Sequence, residues 1–365
     1  MVTIKKAWKC YIQDINNNIY IDTTMGSGSQ LIGHGNKLLK KVYKQLNNGT
    51  IYTIPNIHTN KVNDLLYQIN PHFSPEYIFC NSGTEANIRA IRLARAYTGK
   101  KIIGYFNGGW HGGIDGMIPS DGVPDSVKEL FREIPYNDKN IFNHITSDLA
   151  AVIVEPVQGS NPRSDIKSFL IKLRDACNRK NVLLIFDEVL TGFRIAANGG
   201  AGLFNVIPDI ITYGKVLGGG LPIGAVGGQP DILKTKNIFY GGTFSANPLT
   251  MYSAFLTLHA IKDQNIINYN YLNNIGEYFR KTANSFLEEN NILKNVIGCG
   301  CVNRVIHTDK FIHNKRERDL YESSSLNFNR NLLKQNVFIN TNGILHFSMS
   351  HNKGVVDRII SAFKY

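Results

Sequence analysis

The sequence predicts an α/β protein: a mostly parallel sheet sandwiched by helices, with a smaller α+β domain towards the C-terminus. Three observations lead there. Short apolar runs recur, and each stops at polar or glycine-rich residues. Helical patterns follow these runs. Beyond about residue 250 the alternation gives way to long helices and short, isolated strand-like pieces. Apolar runs buried on both faces and separated by helices imply a parallel sheet covered on both sides.

The elements follow in order. "PEYIFCNSG" is the first run, and "TEANIRAIRLARAYTG" behind it sets Ala86, Ile88, Ile91, Leu93 and Ala94 along a helix. "KKIIGYFNGGWHGG" is the second run. "DLAAVIVEPVQG" is the third, with the helical "SFLIKLRDACNRKN" after it. "VLLIFDEVLTG" and "DIITYGKVLGGG" are the fourth and fifth. "TMYSAFLTLHAIKD" and "YLNNIGEYFRKTANSFLEEN" then read as long helices. "CVNRVIH", "NVFINT" and "ILHFSMS" read as short strands, and "GVVDRIISAFKY" closes the chain. The expected division is a segment 1–45 packing with the small domain, a large domain 46–255, and a small domain 256–365.

Composition narrows the function. An apolar fraction of 43% and a charged fraction of 19% are those of a globular protein. No stretch approaches the roughly 18–20 apolar residues that span a bilayer. The first twenty residues show no apolar core of a signal peptide. The five cysteines are scattered and odd in number, which fits reduced thiols and a cytoplasmic location rather than a disulfide framework. Cys299 and Cys301 lack the further ligands a zinc site needs, so no metal is expected. The net charge of +12 is spread along the chain. It reads as a solvated surface that attracts anions, not as a nucleic-acid stripe.

In a doubly covered sheet, ligands bind beyond the carboxyl ends of the strands. The special residues of this sequence fall at those ends. Ser82, Gly83 and Thr84 open a helix, where N–H groups, hydroxyls and the helix dipole can hold a phosphate, or where a serine simply caps. Trp110 and His111 sit in the glycine-rich turn "GGWHG". Their rings could stack on a flat heterocycle, although a ring packed into the core is the plainer reading. Asp187 and Glu188 end a buried run, where a carboxylate needs a partner; a protonated ring nitrogen suits this better than a metal, since no histidines stand at ligand spacing. Lys215 follows Asp187 by 28 residues, one strand–helix–strand step. A partly desolvated lysine there would have a lowered pKa and could form a Schiff base with an aldehyde. The glycines after it would let the backbone lie against a bulky ligand. A Walker-type loop is excluded by Asp209 and Val216, and "GGGLPIGAVGG" does not open a helix as a dinucleotide fingerprint would.

Taken together, a phosphate cup, a stacking ring, a carboxylate for a ring nitrogen and a Schiff-base lysine describe a pyridoxal 5′-phosphate site. "NSGTEA", "LARAYTG", "AVIVEPVQG", "LLIFDEVLTGFR", "GKVLGGGLPIGAVGG" and "GTFSANPLT" resemble a class III aminotransferase of fold type I. The branch most resembled is that of the glutamate-1-semialdehyde aminomutases. The resemblance implies a seven-stranded main sheet and a homodimer with shared active sites. It implies that Lys215 carries the Schiff base and shuttles a proton, and that Asp187 holds the ring nitrogen protonated. Ser82, Gly83 and Thr84 would hold the phosphate, and Trp110 would stack on the ring with His111 beside it. Glu155 resembles the active-site glutamate of the E-P motif. Thr243 resembles the threonine that reaches the neighbouring subunit's phosphate.

Some residues depart from that branch. Leu190 is apolar, as in the aminomutases, where many ω-aminotransferases have Gln. The aminomutases also begin with a Ser-Pro-Val-Arg-rich segment whose arginine helps hold the substrate carboxylate, and this sequence does not contain it. Asn342 and Gly343 replace a Phe-Glu pair. The expected activity is therefore transfer, through the Lys215 Schiff base, between an amino donor, glutamate by default, and a small carbonyl substrate that is non-standard for that branch, larger than its own or sugar-like. Intramolecular glutamate-1-semialdehyde 2,1-aminomutation is the alternative, and a cofactor-binding scaffold without turnover is the third reading. Neither nucleic acid nor membrane is expected as a partner.

Overall fold

The structure of the chain, a computed structural model, describes residues 2–118, 120–322 and 325–364. Residues 1 and 365, the outer limits of the expected division, lie outside the described residues. Strands β1 (Ile4–Trp8), β2 (Tyr11–Asp14) and β3 (Ile19–Asp22) form an antiparallel meander. The main sheet comprises β4 (Ile78–Cys80), β5 (Ile102–Phe106), β6 (Phe131–Ile134), β7 (Leu149–Val154), β8 (Leu183–Asp187), β9 (Ile210–Tyr213) and β10 (Gly224–Gly228). Its order is β4-β10-β9-β8-β7-β5-β6, and only β10 runs against the rest. This is the seven-stranded, mostly parallel sheet of fold type I.

Its central strands carry side chains into two cores. On β8, Leu184 and Phe186 join one hydrophobic cluster and Ile185 the other. Strand alternation sorts them. Helix α1 (Gly83–Thr98) lays Ala86, Ala90, Leu93 and Ala94 on the second core. Helix α2 (Lys167–Lys180) lays Phe169, Leu170 and Leu173 on the first. The α1 helix starts where Ser82 Oγ accepts the Glu85 N–H at 3.1 Å, and it stops at Gly99 with φ +70°.

Strand β10 corrects one expectation. Its glycines were read as clearance for a ligand, yet they face protein. A Cβ at Gly224 would collide with the Ser82 carbonyl, and one at Gly227 with the Tyr77 ring. Nearer Lys215, Gly219 packs against Thr257 and Leu39. Three glycines in "GAVGG" also hide the strand itself, because glycine has no side chain to pack and low strand preference.

The remaining strands are β11 (Asn295–Cys299), β12 (Val302–Ile306), β13 (Val337–Phe338) and β14 (Ile344–His346). The antiparallel sheet β11-β12-β14 stands apart, whereas β13 pairs in parallel with β3, Val337 opposite Ile21. The two ends of the chain thus share a sheet. Arg194, fully buried, ties them to the main sheet: Nε donates to the Gly28 carbonyl at 3.0 Å and Nη1 to the Phe347 carbonyl at 3.1 Å. Arg194→Leu would strand both carbonyls. Hydrogen bonds from charged groups contribute about 1.5–3 kcal/mol each, so the variant should lose roughly 3–5 kcal/mol in urea unfolding. An unchanged midpoint would refute this tie.

Candidate active site

The carboxyl ends of β4, β5, β7, β8 and β9 lie along one edge of the sheet, and each delivers a candidate residue. From β4 the chain passes into Ser82 and the first turn of α1, where the Gly83 and Thr84 N–H groups are those a helix leaves without internal partners. Gly112, at φ +87°, brings the turn after β5 so close that a Cβ would collide with the Thr84 hydroxyl. Gly83 lies under Val189 and beside Gly214, where again no side chain would fit. The edge therefore converges on the start of α1.

Asp187, at the tip of β8, is 1% exposed and makes three polar contacts. Its Oδ1 accepts the Val189 N–H at 3.0 Å. Its Oδ2 accepts Asn87 Nδ2 at 2.7 Å and lies 2.8 Å from His111 Nδ1. Two oxygens offer about four acceptor positions, so room remains for one further donor. His111 thus sits against the carboxylate, and its buried Nε2 has no partner among the described residues. Asn87 itself is anchored, accepting from Thr212 at 2.7 Å and donating to the His111 carbonyl at 3.0 Å. Sequence reasoning missed Asn87. Its signal was available: it is a polar residue one turn after Gly83 on the apolar face of α1.

Glu188 has a different task. It accepts Gly200 N at 2.9 Å, Ala201 N at 2.7 Å and the Thr191 hydroxyl, all away from the strand-end cluster. Burial pushes its carboxyl up.

Lys215 opens a 3-10 turn, Lys215–Gly218, with φ +42°. A lysine in left-handed backbone is strained, and such strain concentrates at functional sites. The side chain is partly exposed, but protein surrounds its amine, and burial lowers the pKa below the ordinary lysine value. Glu155, just past β7, accepts the Trp110 N–H at 2.9 Å and so fixes the indole turn. Burial, reinforced by the Asp187 charge, pushes Glu155 up to about 7.

A cavity of about 590 Å³ joins Lys215, Glu155 and Trp110 with Leu190, Arg304 and His346. Ser82, Gly83, Thr84, His111 and Asp187 do not line it; they connect to it through Gly214 and the 108–112 turn. Thr243 is exposed and outside the cavity. Arg304 and His346 are functional candidates that the sequence did not disclose. His346 is 2% exposed, and neither ring nitrogen has a partner among the described residues. Burial, and then Arg194 and Lys215, hold its pKa well below the usual histidine range, so it is neutral.

A helix start with N–H groups free of internal partners, a shielded carboxylate and a buried amine at neighbouring strand ends are the parts that a pyridoxal-phosphate enzyme of fold type I requires. The chain belongs to the class-III aminotransferase family, whose model matches residues 1–321. A glutamate-1-semialdehyde 2,1-aminomutase of Staphylococcus epidermidis is 33% identical over 378 residues, 96% of this chain and 88% of that protein. An omega-transaminase from Sphaerobacter thermophilus superposes with a TM-score of 0.93 at 24% identity, over 100% of this chain and 90% of that one. A transaminase solved with PLP bound gives 0.88 at 25% identity, over 100% and 89%.

The residues present fit pyridoxal 5′-phosphate, the cofactor of this enzyme. The spare acceptor position on Asp187 suits a protonated ring nitrogen, and the Gly83 and Thr84 N–H groups at the start of α1 suit a phosphate. No helix among the described residues is long and apolar enough to cross a membrane.

Glu155 gives this site a pH signature. Folded, it keeps its proton up to about pH 7; unfolded, it releases it near the ordinary value of 4.5. Between those values the native state binds the extra proton, so stability falls as pH rises through the window. Glu155→Gln cannot ionise. Melting temperatures of the cofactor-free proteins should diverge in the variant's favour between pH 5 and 8, by a few degrees. A constant difference would remove Glu155 from this titration.

Proposed function

We propose that this enzyme moves an amino group between a separate amino donor and a small carbonyl acceptor. The bound cofactor supplies an aldehyde and an electron-withdrawing ring. What carries the reading is the arrangement of Lys215 at the cavity with Glu155 beside it and Asp187 behind. The Lys215 amine, its pKa lowered by burial, is poised to take a proton from the substrate carbon and return it. Asp187, oriented by His111 and Asn87, would hold the ring nitrogen protonated. Ser82, Gly83 and Thr84 would hold the phosphate, and Trp110 would stack on the ring. Trp110 is 66% exposed, so the cavity opens to solvent and a first product can leave before the acceptor enters.

Intramolecular aminomutation of glutamate-1-semialdehyde is the second reading. Leu190 on the cavity wall favours it, as do the names of the curated relatives. The test is the visible spectrum of the loaded enzyme with glutamate and a panel of amines, followed by carbonyl acceptors. Loss of the cofactor band with a donor, and its return with an acceptor, supports transamination. Turnover of glutamate-1-semialdehyde with no donor replaces it by the second reading, and an inert band refutes both.

The active unit we propose is a homodimer in the cytoplasm. Tyr43, Leu46, Ile54, Ile57, Phe239 and Phe244 are exposed apolar residues. They lie on two segments joined where Asn56 Nδ2 donates to the Ala246 carbonyl at 2.8 Å. That surface includes the loop of Thr243, which would reach the partner's phosphate. The five cysteines are free and buried, as in a reducing compartment.

A further inference from the structure

Strand β14 turns Ile344 and His346 to the cavity and Leu345 to the core. On β12, Arg304 stands directly opposite Ile344. Opposed residues share a face, so Arg304 joins the same wall. Helix α3 (Lys315–Asp319) adds Lys315 and Arg318 to the lining. This part of the cavity is charged. Arg304 and Arg318 both pair with one carboxylate, Glu322, at 3.2 and 2.8 Å. Arg318 and Lys315 share Asp319, and Arg316 pairs with Glu133 at the rim. Four cations are thus tied to three carboxylates, which leaves one positive charge uncompensated.

Burial sharpens that excess. Arg304 is 2% exposed, and its Nε has no partner among the described residues. A buried guanidinium with a free N–H is costly until an acceptor reaches it. Burial, and the Arg318 charge beside it, bring Arg304 down to about 10, still ionised at neutral pH. The carboxylates of the network are all more exposed than the guanidiniums of Arg304 and Arg318, so solvent weakens their compensation.

We propose that the substrate carries an oxyanion group, carboxylate or phosphate, apart from its reacting carbon, and that Arg304 with Arg318 binds it. An apolar substrate would leave the Arg304 Nε–H without an acceptor among the described residues. This assignment rests on the aminotransferase reading above, and names what the substrate must bear.

The test uses the holoenzyme, whose own phosphate cradle is filled. The rate at which butylamine, 4-aminobutyrate and 3-aminopropyl phosphate bleach the cofactor band is compared in wild type, Arg304→Gln and Arg304→Lys. Wild type should favour one or both anionic amines. Arg304→Gln should cost those amines about 10- to 100-fold in kcat/KM, carried by KM, with butylamine nearly unchanged. Arg304→Lys should restore part of the loss. The preferred anion distinguishes carboxylate from phosphate. Equal losses on all three amines, or no anionic preference in wild type, overturn the proposal while transamination stands.

If no amine bleaches the band, thermal shifts of the holoenzyme with succinate and with inorganic phosphate decide. Stabilisation that Arg304→Gln abolishes sustains the subsite even without transamination. Stabilisation by neither anion, or equally in both proteins, overturns it. Lys315→Gln, whose side chain is 38% exposed, serves as the second variant should Arg304→Gln prove unstable; it should weaken the same anions to a lesser degree.

Discussion

Lys215→Ala should fold, keep its cradle for the cofactor, and lose at least about 10³-fold in kcat, since a positioned proton-transfer group alone contributes about 10²–10⁴-fold. Position supports so large an effect. Among the described residues, Lys215 is the amine that the strand-end cluster brings to the cavity lining, on a turn that opens with Lys215 itself at φ +42°. Burial favours its neutral form, and the two nearby carboxylates, Glu155 and Asp187, oppose that only in part. Alanine keeps the Cβ and removes the amine, so the fold has little to lose. Rapid-mixing spectra with an amino donor, beside melting curves, separate chemistry from stability. A variant within tenfold of wild type would end the assignment of Lys215 as the proton carrier.

The main sheet was legible because its strands are long apolar runs with helical patterns between them, and burial on both faces leaves that trace. Parallel strands deliver their carboxyl ends to one edge, and that rule alone groups Ser82, Trp110, Asp187 and Lys215 from the sequence, whereas Glu155 entered through the family resemblance. What escaped has physical reasons. Strand β10 is mostly glycine, and its place between β4 and β9 is set by close backbone packing, which no periodicity records. Arg304 lies in "CVNRVIH", where one charge in an apolar run looks like an exposed edge. Only the pairing of β12 with β14 reveals that it turns inward. That His111 Nδ1 lies 2.8 Å from Asp187 Oδ2 is set by tertiary placement across 76 positions, which the sequence does not record. Asn87 showed itself as a polar residue on an apolar helix face, but its partner Asp187, a hundred positions away, could not be read from it.

Asp187→Asn should cost about 10²–10³-fold in kcat, the scale on which one preorganised polar group in a shielded site acts. The substitution keeps shape and removes charge, and its effect spreads through the contacts already described. Oδ2 now accepts from Asn87 and faces His111 Nδ1. An amide nitrogen placed there would turn a donor towards the donating Asn87 amide. An amide oxygen placed there would turn the amide nitrogen towards the Val189 N–H instead. Either orientation breaks one hydrogen bond. The lost charge also ceases to raise Glu155, so the pH dependence of stability should shift to lower pH by the part that Asp187 contributes. A merely structural Asp187 would move neither that pH profile nor kcat relative to KM.

Glu188→Gln is the control. It alters a neighbouring buried carboxylate that hydrogen-bonds to Gly200, Ala201 and Thr191. Its expected cost falls on the melting temperature, with kcat of the folded fraction kept. If Asp187→Asn behaved as Glu188→Gln does, Asp187 would be a second structural carboxylate, and the ring nitrogen would need another partner.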